Sequence, residues 1–467
     1  MWVAVLLACA AVTGYLFTRE LELARVIFMC SVVWGAGLAW IAWHAPPTFT
    51  VWLVARRNLA QHGVATVIGA ISIALGCGLV MATYSLSRQT ELAFTGGDVG
   101  FDAVVGARGS QLQLVLNTVY HLETSPGNVP YSTYLALKED RRVKLAIPYA
   151  VGDNYLGYRI VGTVPEMLST FEYQRGKKLT PRAPGRVFDP TRREAVIGAT
   201  VARETGLVEG KTFRPYHGLD YKEGVHQHPI DYLVVGVLEP TNSPNDRVVW
   251  IPIEGVWRME GHVLVGANGS EYTPEEGAEI PDAYKELSAV MLELAGPMAG
   301  FSLAHDINRR GKQATIAWPI ANAMAELFRK IGWVVQVLAL VANLVVVVAL
   351  ASLVATLYGT MHQRRRELAI LRALGARRAE VMSILVLEAG ATATLGALLA
   401  FAVHAGVLAI ARWVVLEQTG VVIDVLAPHP VLYVAPGATI VLGALAGLLP
   451  GIAAYRSDVA SNIGPTV

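Results

Sequence analysis

Cysteine is nearly absent from this chain: Cys9, Cys30 and Cys77 are the three in 467 residues, and all lie within apolar runs. The polar middle of the chain therefore has no disulfide framework, no cysteine-based zinc site and no cysteine nucleophile. Charge is also scarce, at 16% of residues, and almost balanced at a net +1. Basic residues gather at the edges of apolar runs rather than on one face, so no nucleic-acid partner is expected. No GxSxG elbow and no HExxH helix is present, and no catalytic role is expected. GLVEGKT (Gly206–Thr212) has three residues between its glycines where a phosphate loop needs four, and reads as a turn. With no other Walker-type stretch, ATP and Mg would have to be bound by a separate chain.

What the sequence does have is apolar length. Hydrophobic residues make up 53% and the mean hydropathy is +0.43, too apolar for a soluble protein and typical of an integral membrane protein with a substantial polar part. Met1–Phe17 and Val26–His44, joined by TRELELAR, predict an uncleaved N-terminal hairpin over residues 1–45. The first run lacks the basic n-region of a signal peptide. WLVARRNLAQH (Trp52–His62) reads as an amphipathic interfacial helix, which leads into a first core span within residues 50–86. That span, Gly63–Leu86, is rich in Gly, Ala and Ser. Such residues allow close helix approach and suggest packing at a homodimer axis.

Residues 87–330 change character. Strand-like runs at Val143–Ala150, Tyr158–Val164, Ala195–Ala199, Tyr232–Leu238, Val248–Pro252 and Ala289–Leu294 alternate with turn residues. Helices are expected at Gln111–His121, Tyr131–Asp140 and Pro281–Leu287, and an exposed loop at Thr180–Pro190. Pro319 should open a helix that continues into a second core span (331–361), and Gly96–Gly97 is either a hinge or a plain turn. Residues 385–467 should hold the third and fourth core spans and a tail. The expected fold is membrane α-helical: four core spans plus the N-terminal two-span hairpin, with a large α+β extracytoplasmic domain inserted between the first and second core spans. Glu388, at membrane depth in the third span, is expected to pair with a nearby arginine.

Between the second and third core spans lies a short basic segment, 362–384, with arginine at 364, 365, 366, 372, 377 and 378 against Glu367 and Glu380. A short loop of that charge stays on the cytoplasmic side, which puts the inserted domain outside. Leu368, Leu371 and Leu374 recur every three residues and give a helix with one sticky face. Gly375 should end it, and a second short helix should start near Arg378.

ELAILRALGARRAEV (Glu367–Val381) resembles the signature after the second core span of the FtsX/MacB-like permeases, membrane subunits of a class of ABC systems. LLPGIAAYRSDVASNI (Leu448–Ile463) is similar to the family's Pro-x-x-x-Ala-x-Arg ending, with Pro450, Ala454 and Arg456 in place. The resemblance implies a multi-pass protein of the bacterial inner membrane, working as a homodimer with a cytoplasmic ABC ATPase. Arg366, Glu367, Leu368, Leu371, Arg372, Leu374 and Gly375 would form the ATPase-coupling element.

The inserted domain holds one chemical cluster. RPYHGLDYKEGVHQHPIDY (Arg214–Tyr232) brings His217, Asp220, His226, His228 and Asp231 close in sequence. Imidazole and carboxylate suit zinc, and His226 and His228 at i, i+2 project to one side of an extended chain. Three readings stay open: a solvated loop, transient metal capture and a structural site. VGARGSQLQLVLNTVYHLETSPGNVPY (Val105–Tyr131) and AIPYAVGDNYLGYRIVGT (Ala146–Thr163) also resemble a bacterial subgroup of these permeases found in zinc-responsive gene clusters. That resemblance implies zinc at the periplasmic domain and small periplasmic protein partners. Two rival functions stand beside substrate export or handling: a mechanotransmitter that switches a periplasmic partner, and a permease that releases lipoprotein or lipid.

Overall fold

The computed structural model describes residues 49–95, 100–219, 221–222, 224–259, 264–265, 269–275, 278–311, 313–424 and 427–456. The expected N-terminal hairpin, Gly96–Gly97, Asp220 and the tail beyond 456 lie outside the described residues. Two compact units emerge. One takes its described residues from Met1–Gln89, Gly332–Ala411 and Asp424–Val467; the other is Thr90–Ile331 with Arg412–Ile423.

The first unit is helical. Its described residues lie mainly in the helices α1 (Phe49–Gln61), α2 (Gly63–Thr95), α3 (Ile320–Gln363), α4 (Arg365–Ala373), α5 (Arg378–Thr419), α6 (Val431–Ala446) and α7 (Leu448–Arg456), of which α2, α3 and α5 have one end in the residues of the other unit. Among the described residues four helical stretches are long and apolar enough to cross a membrane: Gly63–Phe94, Ile320–Gln363, Arg378–Thr419 and Val431–Ala454. The helix expected to start separately near Arg378 is instead the first part of α5, because nothing between Arg378 and Thr419 breaks it.

Small residues set the packing of these spans. A Cβ at Gly78 would lie 2.7 Å from Val403, and one at Gly396 2.7 Å from Ile73, so α2 and α5 meet almost backbone to backbone. The close approach expected of the first core span is thus made within the chain. Ile73, Ala349, Leu353, Leu357, Ala389 and Ala393 form the shared core of α2, α3 and α5.

The second unit is built on a ten-stranded sheet. Its strands are β1 (Ala103–Ala107), β2 (Val143–Tyr155), β3 (Tyr158–Thr163), β4 (Glu194–Ile197), β5 (Thr212–Phe213), β6 (Tyr216–His217), β7 (Tyr232–Val237), β8 (Val248–Pro252), β9 (Ala289–Leu294) and β10 (Ala314–Ala317). The spatial order is β10-β1-β9-β2-β3-β8-β4-β7-β5, with β6 on β2. β8 pairs in parallel with β3, and β7 with β4; the other pairs are antiparallel. Alternate residues enter two separate cores: Val249 and Ile251 face one, Val248 and Trp250 the other. A sheet covered on both faces needs continuous apolar strands, as the runs in this sequence are. Pro281–Leu287, expected as a helix, is a single 3-10 turn, Asp282–Tyr284, followed by a short strand, Glu286–Leu287, paired to Val129–Pro130. Only seven residues with a proline at the start leave a helix too little length to outcompete that pairing.

Candidate functional site

At the turn from α3 to α4 the chain is held by Arg364. Its backbone carbonyl accepts from Leu368 as α4 begins, and its side chain is buried. The guanidinium reaches Glu367 Oε2 at 3.3 Å and the buried Glu388 Oε1 of α5 at 3.4 Å. Asn58 of α1 donates from Nδ2 to the same Glu388 oxygen. One carboxylate thus ties the interfacial helix, the α3–α4 turn and the third span together.

α4 ends on Gly375, at φ +106°, a left-handed conformation that favours glycine. Gly375 N–H donates to Arg372 O, and Ala376 N–H to Leu371 O, the paired bonds of a Schellman motif. The leucines expected to share one sticky face are divided. Leu368 is buried and Leu371 half-buried against Met361, Val381, Leu385 and Ala454, whereas Leu374 is 80% exposed. Three-residue spacing drifts by 60° at each step on a 3.6-residue helix, which takes Leu374 off the packed face. The outward stripe is instead Arg366, Ile370 and Leu374, at i, i+4 and i+8, with Ile370 46% exposed. Glu367 is exposed beside it, and Arg372 is half-buried.

In the second unit, the histidines of the Arg214–Tyr232 stretch sit on a narrow hairpin. Its two arms are joined by His217 N–H to His226 O and His228 N–H to Pro215 O, both 2.9 Å. One arm, β6, pairs with β2 so that His217 stands opposite Asp153. The β2–β3 register slips between Val151 and Asn154, a bulge that includes Asp153; bulges of this kind re-aim a side chain. Asp153 Oδ1 lies 3.1 Å from His228 Nε2 and 3.6 Å from His217 Nδ1. One ligand atom from each of the three falls within 4.8 Å of the others. Asp153 and His228 are buried, while the His217 side chain is 52% exposed. Asn154 Nδ2 donates to Gly218 O at 2.8 Å, which fixes the turn just after His217.

Of the residues singled out in the sequence, His217 and His228 come together here. His226 lies beside them, its ring 5.6 Å from that of His228, but it is exposed and outside the three-ligand set. Asp231 is engaged by Arg214 at 2.9 Å, which holds its carboxyl below the usual range. Asp153 is absent from the sequence-based set. The signal that could have found it is Gly152-Asp153-Asn154, a polar break inside an otherwise apolar strand.

Two family models match non-overlapping parts of the chain: the FtsX-like permease C-terminal model over residues 339–459 and the MacB-like periplasmic core domain over residues 66–290. The chain belongs to the FtsX/MacB-like permeases. In this family the FtsX-like match takes in all of α4 and the Arg364–Glu388 pair, and the MacB-like match takes in Asp153, His217 and His228. Such permeases are non-catalytic subunits that work with cytoplasmic ABC ATPases. Among solved structures, the extracellular domain of the noncanonic ABC-type transporter YknZ from Gram-positive bacteria is similar at 15% identity. That similarity covers 46% of this chain and 97% of that one, with a TM-score of 0.25. The periplasmic region of MacB from Actinobacillus actinomycetemcomitans is similar at 11% identity, over 50% and 94% of the two chains, with a TM-score of 0.29. No curated protein matches the chain.

Proposed function

We propose that this permease couples ATP hydrolysis by a separate cytoplasmic ATPase to movement of its periplasmic domain. It acts as a homodimer in the bacterial inner membrane and serves export or periplasmic handling of a substrate. The observation that carries the reading is the division of α4 into two faces. Leu368 and Leu371 fasten it to α5 and α7, while Arg366, Ile370 and Leu374 face outward. A short helix fastened on one side and bare on the other passes a push from a partner to the spans at its ends.

The test separates the two faces. Ile370→Glu and Leu374→Glu should abolish ATPase co-purification and stimulated hydrolysis while leaving the melting temperature of the permease unchanged. Leu368→Ala should instead lower stability by about 2–5 kcal/mol through the cavity it leaves. Full coupled activity in both glutamate variants would remove α4 from the transmission path.

A further inference from the structure

We propose that Asp153, His217 and His228 form a binding site for a divalent transition-metal cation of the zinc class. In a tetrahedral site with bonds of 2.0–2.1 Å, neighbouring ligand atoms stand about 3.3 Å apart. The Asp153 Oδ1 separations from His228 Nε2 and His217 Nδ1, 3.1 and 3.6 Å, bracket that value. The donor set is two imidazoles and one carboxylate, which suits zinc and its first-row neighbours; magnesium and calcium prefer all-oxygen shells.

Three further features favour a cation at this place. A carboxylate is costly to bury without compensating positive charge, and Asp153 is buried with its Oδ1 facing two imidazoles, groups that can share a cation with it. The ligands come from segments locked to one another by backbone pairing: Asp153 from the bulged strand β2, the histidines from opposite arms of the hairpin that pairs with it, and the turn after His217 is held by Asn154. That arrangement is pre-organised rather than dependent on closure of a loose loop. The half-exposed His217 ring gives a cation a way in, and three protein ligands leave the fourth tetrahedral position open to water or a donor from a partner. A site of this kind exchanges its metal, which fits capture or sensing better than a structural role.

The inference goes beyond the coupling reading, and its test is read without any ATPase present. The full-length permease, purified without a histidine tag, is titrated with zinc against a chromophoric chelator. The expected result is saturable binding of one zinc per chain. His217→Ala and Asp153→Asn should weaken it by roughly tenfold or more, and His226→Ala should leave it intact. Melting temperatures of the metal-free variants report whether each still folds; His217→Ala, altered at a half-exposed side chain, is the decisive one. Cobalt should give the visible absorption of a tetrahedral site, lost in the same variants. Absence of saturable binding, binding undiminished in His217→Ala, equal loss in His226→Ala, or displacement of zinc by excess calcium would each overturn the assignment.

Discussion

At the residue scale, the periplasmic domain contains a buried polar network whose protonation is set by packing. His121 Nδ1 lies 2.8 Å from the Tyr149 hydroxyl, which donates to Asn117 O at 3.1 Å. Arg159 donates to Asn117 O and Oδ1 and to Glu123 O. Burial, and secondly the Arg159 charge, hold His121 down to about 3, while burial pushes Tyr149 up to about 12. His121 as a residue is partly exposed, but its ring packs against the rings of Tyr149 and Trp250. The folded domain therefore keeps His121 neutral. Its contribution to stability is complete above about pH 6.5 and is lost as pH falls from there toward 3, because only the unfolded chain takes up the proton. From pH 6.5 to 5 the loss amounts to about 2 kcal/mol at most. Thermal melts at pH 7 and pH 5 should show a smaller drop for His121→Asn than for the wild type; asparagine also tolerates the left-handed backbone at this position, φ +56°. An equal drop in both would show that some other group carries the acid sensitivity.

At the scale of elements, the same logic of burial applies to the tie among α1, the α3–α4 turn and α5. Glu388 and Arg364 are both buried and face each other, and a buried pair broken on one side costs about 3–5 kcal/mol, whereas an apolar replacement of both partners is often neutral. Glu388→Ala alone should lower the melting temperature in detergent markedly, and Arg364→Met with Glu388→Leu should recover most of it. Recovery of stability without recovery of ATPase coupling would show that the tie serves transmission as well as folding. That Glu388 would find an arginine was legible in the sequence, since a carboxylate at that depth needs a partner. Asn58 as a second partner was not, because it comes from a helix 330 residues away. The strands Val248–Pro252 and Ala289–Leu294 were readable to the residue, because burial on both faces makes them nearly continuous apolar runs, Glu293 being the one charged residue in either. Ala103–Ala107 and Ala314–Ala317 went unseen: runs of only five and four residues carry little strand signal until the sheet supplies their partners. The cluster of Asp153, His217 and His228 was half legible for a similar reason, its histidines being near in sequence while Asp153 lies 75 residues before His228.

On the scale of the whole molecule, the distribution of charge over the helical unit fixes which way up it sits. Asn58, Arg364 and Glu388 meet, so the α1 segment with Arg56 and Arg57 and the arginine-rich turn into α4 share one end of this unit. The connection between α5 and α6, residues 420–430, has no lysine or arginine at all. Short loops rich in these residues stay in the cytoplasm, and α3, at 44 residues and about 66 Å, is twice as long as a bilayer core requires. In a cysteine-free background, a cysteine introduced at Met298, which is 77% exposed in the periplasmic domain, should react with a membrane-impermeant maleimide in intact spheroplasts. One at Leu374, on the bare face of α4, should react only after the membrane is opened. The reverse pattern would turn the chain over and take α4 out of reach of a cytoplasmic ATPase, and the coupling reading would fall with it. Labelling of Leu374→Cys that is blocked when the ATPase is co-expressed, in opened membranes, would instead locate the partner on the very stripe that packing leaves bare.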